Sequence, residues 1–212
     1  MITLFIDTCH YNLIVGVYKN KEQLVFYREN NDNHLSERLL PLIKKAIDTS
    51  NINISDINNI VVANGPGSFT GVRIGVTVAK TLAYALKCSI HTVSELKIMA
   101  TGEYKTKYIV PLIDARRGFV YSGIYNQNLE SVIEDNYISL DDLIKKVSEI
   151  SNQNDITYVS YEDFSQVNTV VPAIDILKII NAVDNDNGIL CHLVNPNYLK
   201  KTEAEEKLKQ TC

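Results

Sequence analysis

The sequence predicts an α/β protein made of two halves, each with a mixed sheet. Three observations carry this reading. The first thirty residues hold three strand-like runs at hairpin spacing. A helix-periodic stretch, a fully apolar strand and a long helix follow in that order. From about Thr106 a similar succession begins again, which sets the expected halves at 1–104 and 105–212.

In chain order, "ITLFID" and "LIVGVYK" are two apolar runs separated by the turn "TCHYN", and "EQLVFYREN" is a third strand. Leu35, Leu39, Leu42, Ile43, Ala46 and Ile47 share one face at helical spacing, with Asn33 or Ser36 as the expected cap. "INNIVVAN" reads as a buried inner strand, and a helix is expected from Phe69 to Leu86. In the second half "KYIVPLIDARRGFVYSGIYN" gives two strands around a turn at Arg116–Gly118, and "ESVIEDNYI" gives a third. "SLDDLIKKVSEI" is a helix capped by Ser139 with Asp142 three residues on. "ITYVS" is a strand, and "PAIDILKIINAV" a helix with Pro172 in its first turn. The tail "KKTEAEEKLKQTC" reads as a solvated, charged end.

Composition narrows the function. Of 212 residues 45% are apolar, enough for a core, and the net charge is −4. That balance argues against a protein that grips nucleic acid alone, since neutralising phosphates takes a basic face, and no basic stripe interleaved with aromatics is visible in the sequence. No segment approaches the ~20 apolar residues of a membrane span, and "ITLFID" after Met1 is no signal peptide, so a cytoplasmic protein is expected. Cys9, Cys88, Cys191 and Cys212 form no CxxC and no His stands at ligand spacing from them, which fits free thiols better than zinc.

"NGPGSFTGVRIG", residues 64–75, resembles a phosphate loop only at first sight. A Walker A loop needs Lys and Ser or Thr after its last glycine, and here Val72 and Arg73 follow Gly71. The dinucleotide spacing fails too, with Phe69 where backbone should approach a pyrophosphate. The remaining reading is a strand-to-helix turn in which Gly65 and Gly67 allow positive φ, Pro66 fixes one φ and Ser68 or Thr70 caps the helix. A helix N-terminus still attracts anions. Asp7, Gly65, Gly67, Ser68 and Asp114 are therefore the positions at which a nucleotide or its metal would be sought. Asp7 and Asp114 each end an apolar strand and could instead cap turns, Asp114 pairing with Arg116 or Arg117.

The helix after the loop carries two apolar stripes. Val72, Val76, Ala79, Ala83 and Leu86 form one, and Ile74, Val78, Leu82 and Ala85 form the other. A helix against one sheet needs one apolar face. The surplus predicts a subunit interface through Leu39, Leu42, Ile43, Val72, Val76, Ala79 and Ala83, unless the two helices simply pack on each other and the sheet. On the interface reading, Val76→Glu separates the subunits and leaves a folded monomer.

"NGPGSFTGVRIGVTVAKTLA" closely resembles the signature of the TsaB (YeaZ) family. "LFIDTCHYNLIVGVY", "HLSERLLPLIKKAI", "IDARRGFVY" and "NPNYLKK" are similar to the family's other segments. The resemblance implies two actin-like ATPase subdomains with ribonuclease-H-like mixed sheets. It implies a non-catalytic scaffold in the making of threonylcarbamoyladenosine at adenosine 37 of tRNAs reading ANN codons. Its partners would be a TsaD-type transferase in a heterodimer and a TsaE-type ATPase. It would form a homodimer when alone, meet tRNA mainly indirectly, and have no membrane. No cofactor would be required by this chain, the joint with the partner being where a nucleotide could sit. The alternatives are an active ATPase or transferase of the actin-like superfamily, or a metallopeptidase-like enzyme. Against them, "TCHYN" lacks the glycine with which actin-like ATPases wrap phosphate. The transferase's His-x3-His metal pair is replaced by "HTVSELKIMA", with His91 alone; His10, His34 and His192 are scattered.

Overall fold

A computed structural model of the chain describes residues 1–30, 34–183 and 188–200. Its first half runs β1 (Ile2–Asp7), β2 (Asn12–Lys19), β3 (Glu22–Asn30), α1 (Leu35–Thr49), β4 (Asn59–Ala63), α2 (Phe69–Leu86), β5 (Ser89–Val93) and α3 (Glu95–Met99). The second half runs β6 (Tyr108–Asp114), β7 (Phe119–Asn126), β8 (Ser131–Ser139), α4 (Leu140–Ile150), β9 (Ile156–Val159), β10 (Thr169–Val170) and α5 (Ile176–Val183). The sheets are ordered β3-β2-β1-β4-β5 and β8-β7-β6-β9-β10. Each therefore begins with an antiparallel meander and adds two parallel strands beside its first strand. The repeated order is the two-subdomain, ribonuclease-H-like architecture of the actin-like class. No helix among the described residues is long and apolar enough to cross a membrane.

The central strands are buried because both of their faces are covered. From Leu4 to Ile6 and from Ile60 to Ala63 every residue is fully buried, as an inner parallel strand requires. α1 buries Leu35, Leu39, Leu42, Ile43, Ala46 and Ile47, the face read from its periodicity. Its cap differs from expectation: His34 holds the cap position and Ser36 lies inside the helix, while Asn33 falls outside the described residues. α5 begins four residues later than Pro172. Asp175 takes the position before it, its own N–H drawn to Thr101 Oγ1 at 2.8 Å while its carboxylate receives Leu177 N–H at 3.1 Å. β5 and α3 are absent from the sequence expectation.

The last described segment belongs to the first half in space. Ile189 pairs with Ile90 of β5, and Asn197 N–H donates to Asn64 C=O at 2.7 Å. Lys80 Nζ of α2 donates to Val194 C=O at 2.7 Å. The expected unit 105–212 is thus not self-contained, because its residues 188–200 complete the surface over α2.

α2 also corrects the interface expectation. Leu39, Leu42, Ile43, Val72, Val76, Ala79 and Ala83 are all core residues, none more than 4% exposed. Of the two stripes on α2, the one rich in small residues faces inward, because the helix backbone runs hard against the β1–β2 turn. The other stripe, with Ile74, Val78 and Leu82, is half-buried. A glutamate at position 76 would be an unpaired buried charge. Val76→Glu is therefore expected to unfold the chain, read as loss of the cooperative thermal transition in circular dichroism. A folded monomer would return this stripe to the surface.

Candidate functional site

Asp7 and Asp114 end β1 and β6, equivalent strands of the repeated topology, and Glu162 meets both turns, at His10 and at Asp114 N–H. The structure treats them differently. Asp7 is 2% exposed, and its Oδ1 accepts the N–H of Cys9 at 2.8 Å. Asp114 is half-buried, accepts Arg116 N–H at 2.8 Å and lies 3.5 Å from the Arg116 guanidinium.

Around Asp7 a cluster closes that the sequence did not announce. Ligand atoms of Asp7, Cys9 and Glu95 all lie within 4.8 Å of one another, and all three residues are buried. Glu95 is brought there by the start of α3, where Ser94 caps the helix and Glu95 N–H donates to Gly65 C=O at 3.0 Å. Burial first, and the neighbouring Asp7 charge second, push the Glu95 carboxyl well above the usual range. Burial also raises Asp7, with the Cys9 N–H and the Glu95 proton acting against it. Of the two carboxyls Glu95 is pushed up the more, which favours a proton there facing Asp7, and its Oε2 is buried with no hydrogen-bond partner among the described residues. Burial raises the Cys9 thiol strongly, and its Sγ lies 3.3 Å from Ala63 C=O as a donor. These three residues could in principle offer a metal ion three donors, but they are held as a proton-sharing cluster with an uncharged thiol.

The glycine loop explains why Asp7 is sealed. Gly65 takes φ +107, as expected of a left-handed turn residue. Gly67 does not; it is required because a Cβ there would lie 2.2 Å from Cys9 O. At Gly71 a Cβ would lie 2.2 Å from Thr8 O, and at Gly75 the same distance from Thr8 Oγ1. Ser68 N–H donates to Cys9 C=O at 2.7 Å, and Thr8 Oγ1 to Gly71 C=O at 2.7 Å. Ser68 is the cap, accepting Gly71 N–H at 3.3 Å, and Thr70 lies within the helix. The loop and the "TCHYN" turn thus satisfy each other, and the backbone groups that a phosphate would use are spent on the chain itself.

A second group of side chains bridges the halves. His10 Nε2 is 3.4 Å from Glu162 Oε1, and the other Glu162 oxygen accepts Asp114 N–H at 2.9 Å. Burial pushes the Glu162 carboxyl up, but the hydrogen bonds from His10 and the Asp114 N–H outweigh it and hold it below the usual range. Tyr161 packs on His10 and Tyr11 and receives Arg28 Nη2 on its hydroxyl at 3.1 Å. On another side Ser94 Oγ and Tyr125 OH both donate to the half-buried Asp135 carboxylate. No local pattern could have revealed Glu95, Glu162 or Asp135, since each partner is distant in sequence. His91 is buried within β5.

These features define a two-subdomain α/β chain of actin-like architecture. The family model described as "TsaD: tRNA N6-adenosine threonylcarbamoyltransferase" matches residues 28–185. Within it the chain belongs to the TsaB (YeaZ) family. It is 39% identical over 153 residues to the tRNA threonylcarbamoyladenosine biosynthesis protein TsaB of Bacillus subtilis, covering 70% of this chain and 67% of that one. It is 38% identical over 96 residues to the protein of the same name from Escherichia coli, covering 44% and 42% of the two chains. Among solved structures, YeaZ from Pseudomonas aeruginosa superposes with a TM-score of 0.73 at 25% identity, over 93% of this chain and 99% of that one.

Two outcomes follow from the site. Above the ordinary Glu value of 4.5 and up to its raised one, the folded chain keeps a proton that the unfolded chain releases. Stability therefore falls as pH rises through that window, approaching about 1.4 kcal/mol per pH unit. Glu95→Gln should flatten this dependence in urea melts across the range; an unchanged slope would place the proton elsewhere. Gly71→Ala should lose about 1–3 kcal/mol through overpacking against Thr8 O, measured by the same melts.

Proposed function

We propose that the chain is the non-catalytic subunit of a system that makes threonylcarbamoyladenosine at adenosine 37 of tRNAs reading ANN codons. Its role is to bind and support a TsaD-type transferase, with a TsaE-type ATPase joining them. The observation that carries this reading is the sealed β1–β2 turn. In actin-like ATPases that turn wraps phosphate, whereas here Gly67, Gly71 and Gly75 of the loop and helix fill it from behind. The names of the relatives from Bacillus subtilis and Escherichia coli, which concern tRNA threonylcarbamoyladenosine biosynthesis, support the same pathway. The protein works in the cytoplasm and needs no cofactor of its own; a nucleotide, where one is used, sits at the joint with the partner.

The partner meets α1 and α2 through the outer stripe. Leu40 is 53% exposed, and it lines, with Leu82, an apolar groove of ≈ 410 Å³. Ile74 and Val78 continue that strip along α2 as half-buried residues. An apolar surface of this kind is seldom left open on a monomer, and the same strip serves a homodimer when the partner is absent. The net charge of −4 fits a subunit that reaches tRNA mainly within the complex.

Co-purification with the TsaD-type protein of the same organism tests the proposal. Wild type should elute with it as a stable pair, and the pair should modify tRNA while this chain alone neither transfers the group nor hydrolyses ATP. The double variant Leu40→Glu/Val78→Glu should weaken association at least tenfold, about 1.4 kcal/mol, while retaining a cooperative melt. Undiminished co-purification would remove the outer stripe from the interface, and turnover by the chain alone would overturn the non-catalytic role.

A further inference from the structure

Two aromatic–cation stacks stand on the surface, and the closing segment joins them. At the start of α2, Phe69 stacks on Tyr198 with ring centroids 5.5 Å apart. The Arg73 guanidinium lies 3.7 Å from the Phe69 centroid and donates to the Tyr198 hydroxyl at 2.6 Å. At the outer end of β7, Phe119 stacks on Tyr137 of β8 at 4.7 Å and an interplanar angle of 9°. Lys200 Nζ lies 5.2 Å from the Tyr137 centroid. Tyr198 and Lys200 are two residues apart, and Leu199 between them packs against the core. The rings are not covered: Phe69 is 58% exposed and Phe119 37%.

Beside Phe119 the β6–β7 turn holds three consecutive residues in the left-handed region, Arg116 at φ 70, Arg117 at 57 and Gly118 at 78. Two of them pay a steric cost that glycine would avoid. The turn is pinned by Ala115 N–H to Phe119 C=O at 2.9 Å and by Leu140 N–H to Gly118 C=O at 2.9 Å. Arg116 is paired with Asp114. Arg117 is exposed and has no ion pair among the described residues.

The sequence shows cations dispersed along the chain and no basic stripe. The fold places cations beside aromatic faces instead: Arg73 at the Phe69–Tyr198 pair, Lys200 over Tyr137, and exposed Arg117 two residues before Phe119. We propose that this rim is a docking surface for a single-stranded stretch of RNA. Cations there neutralise phosphates, and unpaired bases extend the Phe69 and Phe119 stacks. An acidic peptide would use the charges and leave the ring faces idle, and a duplex would offer phosphates with its base faces already stacked. The inference deepens the proposed function and rests on it for the RNA's identity as a loop of tRNA. The rim would be this subunit's own contribution to holding the loop within the complex.

Fluorescence polarisation with the full chain and a labelled anticodon stem-loop RNA at low salt, roughly 50 mM, tests it. Wild type should bind, with affinity falling as salt rises. Arg117→Gln, which changes one exposed side chain, should weaken binding about threefold or more and lower the salt slope by about one. Phe119→Leu, which keeps an apolar group there, should weaken it about fivefold or more through lost stacking. Tyr84→Ala, at the far end of α2, should bind as wild type. All three variants should still co-purify with the transferase, which separates this test from that of the subunit role. Absence of binding by wild type, or equal binding by wild type, Arg117→Gln and Phe119→Leu, overturns the proposal. So does a fivefold loss by Phe119→Leu on heparin, a polyanion without bases, or full displacement of the RNA by an acidic peptide.

Discussion

The structure depends on how closely the α2 backbone approaches the β1–β2 turn. Gly67, Gly71 and Gly75 fall on the side of the loop and helix where any side chain would meet Thr8 or Cys9. Two of these glycines, Gly71 and Gly75, lie in the helix, where each costs backbone entropy. The return is a direct backbone joint, Ser68 N–H to Cys9 C=O and Thr8 Oγ1 to Gly71 C=O. That joint fixes the start of α2, puts Asp7 under cover, and turns the small-residue stripe inward. The outer stripe is then left for a partner.

The two halves share one topology and resolve the same strand-end aspartate in opposite ways. In the first half Asp7 is enclosed, accepts the Cys9 N–H, and lies beside Glu95, whose carboxyl burial pushes well above the usual range. In the second, Asp114 stays half-open beside a guanidinium. A buried carboxylate is costly unless hydrogen-bonded or protonated, so the first arrangement suits a rigid joint. The second leaves its turn, with Arg116 and Arg117, at the surface. Between them His10–Glu162 and Ser94–Asp135 tie the halves at separate points.

The fold was legible where periodicity is strong. The strands of the first meander, the apolar run before the glycine loop, and α1, α2 and α4 follow from spacing and from caps such as Ser68 and Ser139. β5 was not legible, because "SIHTV" is short, has only two apolar residues, and sets His91 and Thr92 side by side, which breaks the alternation that marks a strand. α2 shows why amphipathic reading stops short: two apolar stripes say that two surfaces are covered, and only the Thr8 contact says which is the sheet. The residues around Asp7 were half visible. Asp7 itself ends a strand, but Glu95 looks like any first-turn acid of a helix until the chain brings it to Asp7. The rim cations were invisible for the same reason, being far apart in sequence.

The return of residues 188–200 to the first half bears on the order in which the molecule can be completed. During synthesis the first sheet leaves the ribosome long before the segment that covers α2 and borders β5 through Ile189. Until then Phe69 lacks Tyr198, Lys80 lacks the Val194 carbonyl, and the edge of β5 lies open. Contacts of such sequence separation close late and slow folding, and an uncovered strand edge is where chains pair wrongly. The nascent first half is therefore a transiently adhesive species, and its safe maturation is set by the arrival of the last segment.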